Sequence, residues 1–331
     1  MKKPADSTPG KKSNQPAAKQ WTPPSRSEVW KTIRNSGYPL ELSVALEAER
    51  NGFSTIPTWT WLDRESGQVR EVDVVGERWM VSGTNDVNVQ LHVLIECKAF
   101  RAGIVLFEFG SPDNEYYDLA LLDVGDSHVW GMPTTIWTTR ESGLKAGSPL
   151  ASGIGWGRQV WAPASSICSQ LGVIQGDPAN RKPWEFKQTP AFEQVDTLIR
   201  SFTPYQERIG VAIDATQAFI SMGALLLVVE GPIRAYRPMR GERRATLRKV
   251  KWATVIRRMP KTGGTSVARV DVVHHRHLSE YLRAFVADGH TVAQKLGANR
   301  DQILDSVAME QSQRLQNARN EAAVAATKFR S

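Results

Sequence analysis

Apolar and polar residues alternate along Val87–Lys98, and this period of two predicts a β-strand with two unlike faces. One face is expected to carry the apolar side chains of Val87, Val89, Leu91, Val93, Ile95 and Cys97. The opposite face is expected to carry Asn88, Gln90, His92, Leu94, Glu96 and Lys98. Glu96 and Lys98 should therefore project together from one end of the strand.

A second stretch with the same period, residues 69–76, predicts a neighbouring strand. Its alternation places Glu71 and Asp73 on one side and Val72 and Val74 on the other. Glu71 is expected to be solvated. The second strand therefore brings Asp73 towards the acid and the lysine that end the first one.

A helix is predicted to begin at Pro39, because proline is favoured at the first helical position, and to end at Asn51-Gly52. Small residues at Ala45 and Ala48 would let this helix pack closely on a sheet. Glu41, one turn or less from the start of the helix, could then reach the edge of the sheet.

The remaining hydrophobic patterns predict a mixed sheet between helices. Strands are expected at 53–62, 224–231, 252–258 and 267–273, and helices at 189–202 and 278–288. Residues 99–186 show no sustained period, and we interpret them as an insertion. The order helix, three strands, helix, strand is typical of a three-layer α/β core.

Both ends of the chain differ from this core. Residues 1–26 are basic and contain almost no apolar side chain, so that a disordered tail is expected before a domain over 27–290. Residues 291–331 are expected to form a C-terminal helix. That helix could dock on the domain or pair with a second copy to make a homo-oligomer.

Composition narrows the class of partner. The net charge of +8 favours an acidic partner, with DNA expected first and RNA as the alternative. Two distant cysteines argue against a disulfide scaffold or a zinc site. The longest apolar run is too short to cross a bilayer and no signal peptide is evident, which predicts a cytoplasmic protein without a membrane partner.

Residues 237–261 carry ten Lys or Arg residues against a single acid, Glu242. We interpret this stretch as a binding site for the phosphate backbone of a nucleic acid, with a solvated charged hairpin as the alternative. The candidate nucleic-acid-binding residues are Arg240, Arg243, Arg244, Arg248, Lys249, Lys251, Arg257 and Arg258.

The acids and the lysine of the two strands suit phosphodiester hydrolysis. Asp73 and Glu96 could bind Mg²⁺, for which Mn²⁺ could substitute, and the main-chain carbonyl of Cys97 could add a third ligand. Lys98 could orient the attacking water or stabilise the phosphate, and Glu41 could bind a second ion or a metal-bound water. Two alternatives remain: Asp73 could pair structurally with Lys98, and Glu41 could serve only the helix dipole.

These residues resemble the PD-(D/E)xK nuclease superfamily, which includes restriction endonucleases and Holliday junction resolvases. The resemblance rests on Glu41, Asp73 and Glu96-Cys97-Lys98, and on the eleven positions by which Glu41 precedes Gly52-Phe53. Two departures are Val72, where the family name has proline, and the 22 residues between Asp73 and Glu96. The longer spacing requires an extended hairpin, with residues 79–84 as a candidate extra strand.

The resemblance implies a restriction endonuclease-like αβββαβ core with a large insertion and a C-terminal helical extension. It also implies a Mg²⁺-dependent endonuclease that hydrolyses DNA, with Lys98, Glu41, Asp73 and Glu96 as catalytic residues, in phage defence or DNA processing. The same motifs occur in bacterial proteins of unassigned substrate. The alternative is an inactive nuclease fold that acts as a nucleic-acid-binding or assembly module.

Three other patterns are expected to carry no chemistry. His274, His275 and His277 lack an acid at metal-ligand spacing and are interpreted as surface residues. Residues 153–157 alternate glycine with other residues but lack the flanking strand and helix of a dinucleotide site. Trp59 and Trp61 could stack on bases, although packing within the protein is the favoured interpretation.

Overall fold

The computed structural model describes residues 23–81, 87–108, 129–130, 135–138, 142–145, 167–177, 182–210, 218–238, 245–261 and 264–298. The chain divides into two compact units, residues 1–36 and 37–331. The first unit contains α1 (Arg26–Asn35), which starts with a capping box formed by Ser25 and Glu28. This helix was not predicted, although the pattern Ser-x-x-Glu before an apolar run signals a helix start.

The described helices of the second unit are long. They are α2 (Tyr38–Arg50), α3 (Thr189–Gly210) and α4 (Leu278–Ala298), the last preceded by a 3₁₀ turn at His275–His277. Each covers a predicted helix. α3 and α4 extend beyond the expected ends, and α4 runs through position 290, where the boundary between the domain and a C-terminal helix was expected. Residues 1–22 and 299–331 lie outside the described residues.

The described strands join one large mixed sheet. They are β1 (Ser54–Asp63), β2 (Gln68–Val81), β3 (Val87–Lys98), β4 (Ile104–Glu108), β5 (Val129–Trp130), β6 (Thr135–Thr138), β7 (Ser142–Lys145), β8 (Ile167–Asp177), β9 (Lys182–Lys187), β10 (Ala218–Val229), β11 (Ile233–Pro238), β12 (Ala245–Val250), β13 (Trp252–Lys261) and β14 (Gly264–His274). The main path runs β1-β2-β3-β10-β14-β13-β8-β4-β11-β12, with β9 paired to β8.

The first half of this sheet consists of β1, β2, β3, β10 and β14, and the second half of β13, β8, β4, β11 and β12. Helices cover both faces of the first half. One hydrophobic cluster joins α2 and α4 to side chains such as Val74, Leu91 and Ile95. The other joins α3 to Val72, Leu94 and residues of the second half of the sheet, including Leu106. Because both faces are buried, β10 is a continuous apolar run, as expected for a strand between two layers. The prediction of an α/β fold around a mixed sheet is confirmed.

The long spacing between Asp73 and Glu96 is explained by the length of β2. This strand continues to Val81 and pairs with β3 as far as Val81 opposite Asn88, so that the two form an extended hairpin. Residues up to Val81 thus belong to β2 itself, whereas 82–86 lie outside the described residues.

The segment expected as an insertion contributes strands to the same sheet. β4 and β8 lie within 99–186 and connect β13 to β11, and β9, which ends at Lys187, pairs with β8. β4 has only five residues, and glycines at 172 and 176 interrupt β8, so that no long hydrophobic period marks them in the sequence. The glycine pattern at 153–157 lies outside the described residues.

Two short neighbouring links join the halves of the sheet. β3 and β10 run parallel and end side by side at Lys98 and Val229, after which residues 99–103 and 230–232 lead into the parallel pair β4 and β11. The links bond to each other, with Glu230 N donating to Lys98 O at 3.2 Å and Ile104 N donating to Pro232 O at 3.0 Å. A Cβ at Gly231 would lie 1.7 Å from the carbonyl oxygen of Phe100, so only glycine fits there.

Candidate active site

Asp73 lies where β2 separates from β3. The pairing between these strands ends at Val74 opposite Ile95, and beyond it the backbone N–H of Cys97 donates to Asp73 Oδ2 at 2.7 Å. The side chain of Asp73 thus takes the place of a backbone acceptor. This exchange opens a gap between the two strands, which we call the wedge. It is bordered by Asp73 on β2 and by Glu96, Cys97 and Lys98 on β3, and the buried Asp73 carboxylate lies inside it.

The expected alternation around Asp73 is only partly correct. Val72 belongs to the cluster under α3, whereas Val74 belongs to the cluster under α2 and α4, so these valines do not share a face. The strand changes direction because β3 no longer holds it on one side. On the other side, Thr58 lies between the paired residues Pro57 and Trp59 and has a φ of 56°, a left-handed conformation that β-branched residues rarely adopt.

Lys98 connects the two acids of the wedge. Its Nζ lies 2.6 Å from Glu96 Oε1 and 3.5 Å from Asp73 Oδ2. Glu96 Oε2 is buried and has no hydrogen-bond partner. The structure therefore brings together Asp73, Glu96 and Lys98, as the alternation predicted, and it contains the ion pair that was the alternative interpretation.

Burial governs the protonation of this group. It raises the pKa of Glu96 to about 7, because the nearby charges of Asp73 and Glu71 add to desolvation and outweigh the attraction of Lys98. Burial alone would lower the pKa of Lys98, but the charges of Glu96 and Asp73 overcome it and raise that pKa. Lys98 is therefore a permanent cation, while Glu96 titrates near neutral pH.

Glu41 reaches the same neighbourhood from the first turn of α2. It is half-buried, and burial together with the charge of Asp73 raises its pKa, an effect that Lys98 partly opposes. Its carboxylate folds back over Gly37, where a Cβ would lie 2.6 Å from Glu41 Oε1. Glu71 is exposed, as expected, and acts on the wedge only through its charge.

Cys97 can contribute only its main chain. Its thiol is buried and free, and desolvation followed by the charges of Asp73 and Glu96 raises its pKa, so the sulfur stays protonated. In a strand the N–H and C=O of one residue point to the same side. Since the N–H of Cys97 bonds to Asp73, its carbonyl faces the wedge as well.

Among the residues that the structure describes, no three His, Cys, Asp or Glu side chains already converge as a metal-binding group. The ion pairs of Lys98 give the physical reason. Its ammonium lies between Asp73 and Glu96, in the position that a cation shared by both carboxylates would take. A divalent ion would have to displace this ammonium toward the mouth of the wedge.

Three of the predicted nucleic-acid-binding residues form ion pairs within the protein. Arg248 on β12 contacts Glu108 at 2.5 Å, Lys251 contacts Glu280 at 2.6 Å, and Arg257 on β13 contacts Asp196 at 3.2 Å. Arg257 also lies over the ring of Phe192. These three cations bind acids of the protein itself, which the charge count alone could not reveal.

Of the other predicted cations, the structure describes the side chain of Lys249. Lys249 is exposed on β12. Arg240, Arg243 and Arg244 lie outside the described residues, as does the side chain of Arg258.

The three histidines and the two tryptophans lie against neighbouring side chains of the protein. His274 stacks on His275, and His277 Nδ1 lies 3.3 Å from Glu280, without a metal-ligand geometry. Trp61 is buried in the core, and Trp59 packs edge-on against Tyr205. Trp61 is therefore not available to stack on a base, whereas Trp59 keeps part of its surface exposed.

A buried polar chain in the core was not predicted from the sequence. Tyr205 on α3 donates to Glu77 Oε1 at 2.8 Å, and its oxygen lies 2.8 Å from His92 Nδ1. His92 must therefore carry its proton on Nδ1, because the tyrosine proton is already used. Desolvation, with a smaller effect of Arg208, lowers the pKa of His92 to about 3. The polar face of β3 marked His92, but nothing in the sequence connected it with Tyr205, 113 positions away.

Comparison of the chain with protein-family models, with curated proteins and with solved structures gives no match. Function must therefore be inferred from the geometry of the wedge and from the sequence motif. None of the helices in the described part of the chain is long and apolar enough to cross a membrane.

Proposed function

We propose that the protein is a metal-dependent endonuclease with a restriction endonuclease-like core, and that it cuts DNA. The observation that supports this proposal most is the buried carboxylate of Glu96. One oxygen bonds to Lys98, and the other is buried without a partner. A buried, unsatisfied carboxylate oxygen is costly, and a bound cation would remove that cost.

The order of elements supports the same class. Helix α2 precedes β1, β2 and β3, and α3 precedes β10, which lies parallel to β3 in the sheet. With residues 99–186 set aside, this order agrees with the αβββαβ core that the resemblance implies. The motif residues lie at the open end of the β2 and β3 pair, where a substrate phosphate could approach from solvent.

The residues present fit a hard divalent cation. Asp73, Glu96 and the carbonyl of Cys97 are oxygen donors within one wedge, and such donors are what Mg²⁺ and Mn²⁺ prefer. Glu41, on the adjacent helix, could hold a second ion or a water. The buried, protonated thiol of Cys97 makes a soft metal a poor fit.

Each side chain has a distinct role in the proposed reaction. A bound Mg²⁺ would neutralise the phosphate and make a bound water more acidic. Lys98, a permanent cation, would orient the attacking water and stabilise the charge that develops on the phosphate. Asp73 would hold the strands open through its bond to the N–H of Cys97. Glu41, whose pKa is raised, could accept a proton from the water.

The proposal is tested by nicking of supercoiled plasmid with Mg²⁺, Mn²⁺ or chelator. Asp73→Asn and Lys98→Gln should each slow cleavage by about 100-fold or more, whereas Glu71→Gln, an exposed acid two residues away, should keep the rate within about twofold. Calorimetry should show Mg²⁺ binding that Asp73→Asn abolishes. Cleavage that resists chelator, or that survives both substitutions, would disprove the assignment.

A second candidate is an inactive nuclease fold that binds nucleic acid. The observation in its favour is the position of Lys98, which already neutralises both carboxylates of the wedge. This candidate predicts salt-sensitive DNA binding that chelator does not change, with no cleavage under any metal. A calorimetric signal for Mg²⁺ that depends on Glu96 would exclude it.

A further inference from the structure

The second half of the sheet exposes a row of aromatic side chains. Residues opposite one another on paired strands share a face, and β9, β8, β4, β11 and β12 pair in that order. Phe107 lies opposite Tyr236, which lies opposite Leu247, and Phe186 lies opposite Ile174. The aromatic face, as we name it, consists of Trp184, Phe186, Phe107, Tyr236 and Leu247.

The two sides of this part of the sheet differ sharply. On the core side Ile104, Leu106 and Leu171 are buried in the cluster that includes side chains of α3, and Ala235 is buried as well. On the aromatic face Trp184 is 58% exposed, Leu247 57% and Phe186 43%. An exposed apolar row of this size on a sheet face indicates a binding surface.

The rings form a connected layer that lies close to the backbone. Phe107 has its centroid 5.4 Å from that of Phe186 and 5.2 Å from that of Tyr236. A Cβ at Gly172 would lie 2.3 Å from the ring of Phe186, and a Cβ at Gly176 would lie 2.7 Å from Trp184. The glycines of β8 therefore let both rings lie against the strand and present them to solvent.

Cations border the aromatic face without a neighbouring acid. Arg234 and Lys249 lie directly opposite each other on β11 and β12, on the same side as Tyr236. Like charges in this position repel, so their pairing costs stability unless an anion lies between them. By the strand register, the residues that β4, β11 and β12 place on this face include no acid.

We propose that the aromatic face binds unpaired nucleotides, with bases stacked on the rings and phosphates at Arg234 and Lys249. Flat, exposed rings beside cations are the combination that single-stranded nucleic acid requires, whereas duplex DNA hides its base faces. The proposal names the substrate class of the proposed nuclease and in that respect rests on the proposed function. Binding itself needs neither metal nor cleavage.

The aromatic face lies directly after the candidate active site along the chain. Only residues 99–103 separate Lys98 from β4, and Arg234 Nη1 contacts the carbonyl of Ala102 in this link at 3.4 Å. The aromatic face therefore begins a few residues from the wedge along the chain. The expected substrate is a nucleic acid with a single-stranded segment beside the scissile phosphate.

Fluorescence polarisation in chelator tests this proposal, with a labelled oligothymidine of about 20 nucleotides against a blunt duplex of equal length. Trp184→Ala should weaken binding to the single strand by roughly 5- to 100-fold. Phe186→Leu, which keeps an apolar cover over Gly172, should have an effect in the same direction. Lys249→Gln should lower the salt slope by about 0.7.

Trp79→Ala on β2 and Arg283→Gln on α4 are the matched controls, because both side chains are exposed and neither belongs to the aromatic face. Equal losses in the controls, or a duplex bound as tightly as the single strand, would overturn the proposal. A change from dimer to monomer in Trp184→Ala, seen by light scattering, would overturn it in favour of a second copy on this face. Tighter binding of oligouridine supports the proposal with RNA as the ligand. Plasmid cleavage is measured in a separate assay. A failure of single-strand binding can therefore be told apart from a failure of the proposed nuclease activity.

Discussion

One residue of the wedge, Glu96, is buried at a cost to stability. Glu96 is buried with one unpartnered oxygen, and its pKa is near 7 instead of 4.5. A position chosen only for stability would carry an amide or an apolar side chain. The cost at Glu96 is therefore consistent with a role in binding a cation.

The residue Glu96 makes the stability of the metal-free protein depend on pH. Its folded-state pKa lies above the unfolded value, so its contribution is present below pH 4.5 and is lost as pH rises through about 7. Glu96→Gln, which resembles the protonated acid, should raise the free energy of unfolding at pH 8 by roughly 1–3 kcal/mol and change little at pH 4.5. Urea unfolding in chelator measures this difference. Glu185→Gln, an exposed acid, should show no such gain, and an equal gain at both pH values would contradict the prediction.

His92 should have the opposite pH dependence. The pKa of His92 is about 3 in the folded state and 6.5 in the unfolded chain. As pH falls below 6.5, His92 therefore binds a proton in the unfolded chain but not in the folded protein. The protein should lose roughly 1 kcal/mol per pH unit in this range through His92 alone. His92→Gln should make the urea midpoint less sensitive to pH between 4.5 and 6.5, whereas His290→Gln, an exposed histidine on α4, should not. Parallel pH profiles for His92→Gln and the native protein would disprove the network.

At the scale of elements, the prediction succeeded for β3, which carries both the alternation of apolar and polar residues and the motif Glu96-Cys97-Lys98. β3 has the predicted bounds, because its two faces contact different layers along its whole length. Asp73 and Glu96 were brought together by the same reasoning. The strands of 99–186 escaped detection because their partners are distant in sequence, and the aromatic face escaped because Phe107, Phe186 and Tyr236 meet only through strand order.

Helix α4 is held to the sheet by a buried acid that the sequence did not single out. Asp271 on β14 accepts from Tyr281 at 2.5 Å, from Thr254 on β13 and from Arg269. Tyr281→Phe keeps the ring against Trp252 but removes one bond to this carboxylate. We expect a loss of about 1.5–3 kcal/mol in the free energy of unfolding, as for a hydrogen bond to a charged group.

Tyr38→Phe provides the control for this measurement, because Tyr38 is 72% exposed and bears its hydroxyl at the surface. Both variants are compared by urea denaturation. If Tyr281→Phe proves as stable as Tyr38→Phe, then Asp271 does not anchor the helix.

At the scale of the whole molecule, the basic character is concentrated in one unit. Residues 1–36 contain eight Lys or Arg and two acids, so six of the eight net positive charges belong to them. Both hydrophobic clusters begin at Val44 or later. The net charge that suggested a nucleic-acid partner is thus separate from the core that carries the candidate site.

Deletion of residues 1–36 should therefore leave the urea midpoint unchanged and weaken non-specific binding to duplex DNA. The salt slope should fall by about 0.9 for each phosphate that the protein no longer neutralises. Deletion of 299–331 is a control of similar length with a net charge of only +1, and it should alter the slope little. Light scattering of the second deletion also tests whether the predicted C-terminal helix makes a homo-oligomer. An unfolded 37–331 fragment would contradict the division into units.

The paired links between the halves of the sheet have a consequence for the products of the proposed reaction. Two short segments bonded to each other permit little change in the spacing between the aromatic face and Lys98. A substrate anchored by its unpaired bases would then be held at a constant distance from the proposed cleavage site. Its cut ends should fall at one distance from the junction of single and double strand, whatever the base sequence, and sequencing of those ends would read that distance in nucleotides.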